Sequence, residues 1–446
     1  MKLNALVKSP DFQNQLWTLI SMGMVVAFPT ILDITMTHQI GLAYAGMFLF
    51  ARAVTDLPVQ FTLFNVRLVQ NVDVTQKVPF NVYLGHRTAF AFIASVLFSA
   101  FLLLSHFELI SFFSEENPIN PTVILPVFFI FMSNIYADVF LGDLQQKGNM
   151  RIAGKIQASV FCGALIIAII VLLLTNSLVA TLISAAIVVF LGYLTWIWLY
   201  RKHFGKIRIS FDFSAIKKLT LTVFPIFITG FLFVYLFNSP KYYLAFFENH
   251  YPANFTSEEL VGIYGFMLMP VALLNIASTG FFSGPVATKT AGIYASNKIM
   301  QFKKRINMML LLALGLFFPF IIVVYFWGVP ILSWIYETDF VPFRTAFLLL
   351  SIGGIARAPN YVLTPVLIML GKQKAMLYSS ILVAVIAGPV LFWLVSSYGI
   401  FGAAFSTFVL FLPQTVINYI IYRRTINLND GGMPPENARQ QESLNS

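Results

Sequence analysis

Apolar residues in this chain fall in long, nearly unbroken blocks, and the polar ones collect in the short gaps between them. A helix needs about 20 mostly apolar residues to cross a bilayer. Twelve blocks of that kind stand out, at about 14–34, 41–63, 87–106, 121–141, 157–175, 177–200, 219–239, 259–283, 306–328, 342–370, 374–396 and 399–421. Barrel strands would be about ten residues long with alternating polarity. These blocks are longer and apolar throughout, so the pattern predicts helices. The expectation is an all-α integral membrane protein with about twelve transmembrane helices.

Composition agrees. Of the 446 residues, 58% are hydrophobic and 10% are charged, against about 25% charged in a soluble domain. Aromatic residues make up 16%, with 47 Phe, which suits a lipid-facing surface. The single cysteine, Cys162, excludes an internal disulfide and any multi-cysteine metal site. The first block follows MKLNALVKSPDFQNQ and is long enough to span, so it is expected to stay as a helix and not to be removed as a signal peptide.

The net charge of +10 raises the question of nucleic acid, and the placement of the charges answers it. With the N-terminus in the cytoplasm, Arg52, Lys241, Arg344 and Arg357 fall within spans, at their edges or outside. The other 24 of the 28 Lys and Arg fall on the cytoplasmic side. The opposite loops carry acids: Glu108, Glu115, Glu116, Glu248, Glu258, Glu259, Glu337 and Asp339. This is a positive-inside pattern. It places both termini in the cytoplasm and turns the basic loops toward an anionic leaflet, so no nucleic-acid partner is needed. The C-terminal stretch NLNDGGMPPENARQQESLNS is polar and is expected to be disordered.

The two halves echo each other. GMFLF at 46–50 is matched by GFMLM at 265–269, and LYRK at 199–202 by IYRR at 421–424. Each half has a long basic loop after its second block, at about 64–86 and 284–305. Six helices per copy is an even number, so both copies have the same orientation and the repeat is parallel. The expected organisation is an N-terminal six-helix lobe (1–210), a C-terminal six-helix lobe (211–424) and a tail (425–446), with a central cleft between the lobes. That is transporter architecture, working by alternating access.

Charges inside the blocks carry the candidate chemistry. Block 2 reads FLFARAVTDLPVQF at 48–61. If it enters near Gly41, Arg52 lies roughly 16 Å deep at 1.5 Å per residue. Asp56 follows one turn on, on the same face. Each charge would cost about 2.5–3.5 kcal/mol against lipid, so both should face protein or water. Two readings stand: a structural ion pair, or a pair facing the cleft. In block 10, SIGGIARAPNYVLTP (351–365) surrounds Arg357 with Gly353, Gly354, Pro359 and Pro365. A kinked or unwound helix is expected there, with Asn360 on the same face as Arg357. Arg357 is either a packing residue or a second midplane cation. Guanidinium groups bind phosphate in a bidentate way, so a cationic cleft suits an anion such as a diphosphate.

The remaining candidates each carry two readings. Asp138 sits near the cytoplasmic end of block 4 and reads either as a solvated or capping residue or as an ion-coupling site. Asp33 and His38 flank the loop after block 1, where proton coupling competes with a plain wet-loop reading. Lys241, in NSPKYY, caps the outer end of block 7 and either meets substrate there or reaches to the interface. The five histidines show no ligand spacing, and no P-loop or G-x-S-x-G is present. No catalytic residue, metal site or cofactor is expected. The small-residue set at 399–406 reads as a close helix contact.

Several stretches together carry a resemblance: IGLAYAGMFLFA (40–51), RLVQNVDVTQKVPFNVYLGHR (67–87), LGKQKAMLYSS (370–380) and YGIFGAAFSTFV (398–409). The chain resembles the bacterial O-antigen or capsule flippases, the Wzx-type group of the multidrug/oligosaccharidyl-lipid/polysaccharide (MOP) exporter superfamily. The resemblance implies two six-helix lobes around a cationic cavity, in the bacterial cytoplasmic membrane. The implied cargo is a polyprenyl-diphosphate-linked oligosaccharide moved to the outer leaflet, with H+ or Na+ coupling in place of ATP. It also implies that helices 1, 2, 7 and 8 line the cleft, which takes in Arg52, Asp56 and Lys241, and Asn275 as the repeat partner of Asp56. Polysaccharide polymerase machinery is the implied neighbour. The rival readings are a multidrug/cation antiporter of the same superfamily, expected to have an acid-dominated cavity, and an integral membrane glycan polymerase or ligase.

Overall fold

The computed structural model describes residues 10–72, 78–106, 120–204, 207–246, 255–279, 290, 292–294 and 296–430. Among them the secondary structure is helical, with no strand. The elements are α1 (Pro10–Ile40), α2 (Leu42–Leu63), α3 (Val66–Val72), α4 (Phe80–His106), α5 (Pro121–Gln146), α6 (Met150–Thr175), α7 (Leu178–Leu199), α8 (Phe213–Phe246) and α9 (Ser257–Thr279). They continue with α10 (Ile299–Gly315), α11 (Phe317–Val323), α12 (Val329–Tyr336), α13 (Arg344–Arg357), α14 (Asn360–Met369) and α15 (Gln373–Asp430). Eleven segments among the described residues are long and apolar enough to cross a membrane. The last, within α15, contains a non-helical residue, Gly399 (φ 54, ψ −130), and so holds two of the twelve expected runs. The loop acids Glu108, Glu115, Glu116 and Glu248 lie outside the described residues. So do Lys77, Lys289 and the tail from residue 431 on.

Local sequence sets where the helices start. Asn120 accepts from the Thr122 amide at 3.0 Å ahead of Pro121, which begins α5. Asp212 takes the amides of Ser214 and Ala215 at 3.0 and 3.1 Å at the head of α8. At α9, Thr256 and Glu259 form a reciprocal capping box: the Thr256 amide donates to Glu259 Oε2 and the Glu259 amide to Thr256 Oγ1. Several helices overrun their apolar blocks. α4 begins at Phe80, α10 at Ile299, and α8 continues to Phe246. Charged and amide side chains at a helix end lower mean hydropathy without opposing helical backbone, so a hydropathy block marks the membrane-embedded part and not the whole helix.

Two breaks match expectation. α13 stops at Arg357 and α14 restarts at Asn360. Pro359 lacks the N–H that would continue the ladder, and the Tyr361 amide turns instead to the Ala358 carbonyl at 3.2 Å. At Gly402, a Cβ would lie 2.5 Å from the Leu394 carbonyl carbon, so the small-residue set does mark a close approach across the Gly399 kink. α2 ends at Leu63, where its apolar block ends, but the expected loop after it opens on a tight turn and a short helix. Phe64 and Asn65 are both left-handed (φ 46 and 55), which turns the chain from α2 into the short α3. Phe64 stacks on Phe227 at 3.8 Å and Asn65 donates to the Ile226 carbonyl at 3.1 Å, contacts that hold a backbone strained for non-glycine residues.

The contacts divide the protein into two compact units. The first runs to Val234 and includes Thr256–Gly262; the second holds Tyr235–Phe255 and the chain from Ile263 on. In each, bulky apolar side chains point outward. Phe92 and Leu174 in the first are 70% and 78% exposed, Phe318 and Trp334 in the second 73% and 82%. Such surfaces are disfavoured in water and fit acyl chains.

Candidate functional site

In the first unit, Arg52 and Asp56 sit on α2, both half-buried. The Arg52 guanidinium lies over the Phe131 ring of α5, 5.4 Å from its centroid. Among the described residues no ion pair joins it to Asp56. The intrahelical pair offered by the i, i+4 spacing is therefore not formed, and Arg52 rests on an aromatic face instead.

Asp33 and Asp138 depart from their expected surroundings. α1 continues past Asp33 to Ile40 and ends only where Gly41 takes φ 107. Asp33 is thus inside a helix and 0% exposed, not a loop residue, while His38 is exposed in the last turn. Asp138 is 8% exposed. It accepts a hydrogen bond from Arg67 on α3 and faces Arg87 on α4, whose Nη2 is 3.6 Å from Oδ2. It is neither a cap nor a solvated residue. Arg67 and Arg87, counted above with the loop charges, belong to helices.

The second unit gathers two of the candidate cations. Arg357 closes α13 at 5% exposure, and Lys241 on α8 is 6% exposed. Both lie against Phe237. The guanidinium is 4.3 Å from that ring's centroid and the Lys241 ammonium 5.7 Å. Tyr361 and Phe411 flank the guanidinium at 5.3 and 5.5 Å, and Arg357 donates to the Tyr361 hydroxyl. Lys241 donates to Asn238 Oδ1 at 3.4 Å. Because α8 runs on to Phe246, Lys241 is a buried helical residue and not an end cap.

Asn360 and Asn275 stand apart from this pair. Asn360 donates to Thr415 Oγ1 at 2.6 Å and accepts from Asn418 at 2.9 Å. Ser379 extends the network to Asn418 at 3.0 Å. The residue ties α14 to α15. Asn275, on α9, is 0% exposed; it donates to the Val271 carbonyl at 2.9 Å, and its Oδ1 is buried without a hydrogen-bond partner. Among the described residues no group of three His, Cys, Asp or Glu could hold a metal ion.

Sequence reasoning missed Arg87. It is 1% exposed and among the largest fully buried side chains. The available signal was FNVYLGH (80–86) before it, a mostly apolar stretch with no Pro, which marks a helix already under way.

No protein-family profile matches the chain, and no curated protein sequence does. Solved structures do. The lipid II flippase MurJ in an inward closed conformation has a TM-score of 0.68 and 13% identity, over 93% of this chain and 89% of that one. An inward-facing multidrug resistance MATE family transporter of the MOP superfamily gives 0.66 and 12%, over 93% and 99%. A mutant of the Vibrio cholerae MATE transporter VcmN gives 0.62 and 15%, over 95% and 98%. At such identities the likeness is one of fold. The chain is a multi-pass membrane protein with the fold of the MOP superfamily transporters, MATE proteins and a lipid flippase among them.

Proposed function

We propose that this protein is a flippase for polyprenyl-diphosphate-linked oligosaccharides, of the Wzx type, in the bacterial cytoplasmic membrane with both termini cytoplasmic. The observation that carries the reading is the pair of buried cations, Lys241 and Arg357, drawn to one ring, Phe237. Two buried cations on one ring suit a doubly charged anion such as a diphosphate, which each could meet with a charged hydrogen bond. Arg52, half-buried on an aromatic face in the first unit, is a further cation for the cargo, and Asp56 and Asn275 are further candidate polar contacts. The sugars would travel in water and the polyprenyl chain in lipid, with an H+ or Na+ gradient driving the cycle. A neighbouring polysaccharide polymerase would take the product.

A multidrug antiporter is the second reading, favoured by the fully buried carboxylate of Asp33 on α1 and by the MATE folds among the neighbours. Transport in proteoliposomes separates the two. With a fluorescent polyprenyl-diphosphate glycan as cargo, wild-type protein is expected to move label between leaflets. Lys241→Ala and Arg357→Ala each remove a charged hydrogen bond worth about 1.5–3 kcal/mol, a loss of roughly ten- to hundredfold in rate, at unchanged protein level. Full flipping by both variants would refute the assignment. Uptake of cationic dyes without glycan flipping would establish the antiporter.

A further inference from the structure

Arg67, Arg87 and Asp138 form a cluster in the first unit that the flippase reading leaves unused. Arg87 Nη1 donates to the Thr62 carbonyl of α2 at 2.7 Å. Its Nη2 lies 3.6 Å from Asp138 Oδ2, beyond hydrogen-bond reach, and its Nη2 and Nε have no hydrogen-bond partner. Asp138 gives Oδ1 to Arg67, and its Oδ2 has no hydrogen bond either. Two guanidinium groups thus face one carboxylate, and the deeper one is served less well.

Buried charged groups without hydrogen bonds are costly, and a better arrangement is close by. A rotation of the Asp138 side chain would bring an oxygen to Arg87 Nη2. Arg67 would have to let go, and it has somewhere to go: its side chain is 30% exposed, against 1% for Arg87. The element carrying Arg67 is poised for release. α3 has seven residues, too few to persist alone, and starts from the left-handed pair Phe64–Asn65. Polar contacts tie it to α5: Arg67 to Asp138, Arg67 to Gln145 at 2.9 Å, and Gln70 to the Val139 carbonyl at 3.2 Å. Gln70 lies over Gly142, where a Cβ would come within 2.9 Å of its Cδ, so the seam is close but polar.

We propose that Asp138 is exchanged between Arg67 and Arg87, and that this exchange latches α3 to α5 and releases it. The structure holds the latched state. On release the carboxylate passes to Arg87, the buried charge stays neutralised, and α3 leaves with Arg67 into water. The latch acts on the site through the chain itself: α2, which carries Arg52, ends at the bend into α3, and its Thr62 is the second anchor of Arg87. The inference stands whether the cargo is a lipid-linked glycan or a drug.

Two measurements on the full chain in detergent test it. The first is thermal unfolding of R67Q, R87Q and the double variant. If either arginine can serve Asp138, the double variant loses several degrees more than the two single losses combined, because only then is the buried carboxylate alone. Two independent fixed bonds give simple additivity, and additivity overturns the exchange. The second is maleimide labelling of V66C in a C162S background, since Val66 at the start of α3 is 2% exposed. R67Q is expected to raise the labelling rate at least about tenfold by populating the open form. An unchanged rate means that α3 is a fixed element and overturns the latch, and this arm decides even if R87Q does not fold.

Discussion

Asn360 was expected to stand beside Arg357 as a site residue, and its bonds describe a different role. Its amide is committed on both sides, to Thr415 and Asn418 of α15. A hydrogen bond between membrane helices is worth about 0.6 kcal/mol on average and about 1.7 at most. Asn360→Ala should therefore lower thermal stability by about 1 kcal/mol in detergent unfolding and leave cargo binding intact. Asn418→Ala on top of it should add less than it costs alone, since one bond cannot be lost twice. A loss of binding at unchanged stability would return Asn360 to the site. At this scale the sequence was legible for the identity of the intramembrane charges and much less for their surroundings. Arg52, Arg357 and Asp138 are conspicuous because charge is rare in apolar runs. The burial of Asp33, Lys241 and Arg87 was hidden because each sits where mean hydropathy fades while the helix continues. Nor does spacing reveal that a guanidinium will choose a ring over a carboxylate one turn away, as Arg52 does with Phe131; that choice depends on α5, which the sequence of α2 does not contain.

Elements were the most legible level. Long apolar runs have one stable solution in lipid, the helix, because every backbone group must be paired internally. Glycine and proline marked the break between α13 and α14 correctly, since a missing N–H acts locally. Gly399 is the other local instruction. Its φ of 54 and ψ of −130 lie where L side chains are strained, at about 1–3 kcal/mol. Gly399→Ala should cost about that much in thermal unfolding, whereas Gly315→Ala, at a helical position with nothing within 4 Å of the added Cβ, should be neutral or slightly stabilising. Equal effects would show that the kink adapts to a side chain. The left-handed turn at Phe64–Asn65 carries no such mark. It is held by Phe227 and Ile226, far along the chain, and a tertiary contact of that kind leaves no local signature.

For the whole molecule, orientation is the property the sequence addresses most directly, through the sorting of 28 basic residues. The rule works because basic segments next to a span are retained on the cytoplasmic side during insertion. It predicts opposite sides for two short connections in the first unit. Asn176, between α6 and α7, should face outward, and Lys202, after α7, should face the cytoplasm. Both are exposed, so a cysteine at either position is open to reagent. The native Cys162 is also exposed but lies in an apolar stretch of α6 among outward-facing neighbours such as Ile166, where a charged maleimide in water should not reach it. In a C162S background on intact cells, an impermeant maleimide is expected to label Asn176→Cys at once and Lys202→Cys only after permeabilisation. The reverse order would invert the molecule. An inverted molecule would carry its basic loops away from the anionic leaflet, and the direction of export proposed for the cargo would fall with it.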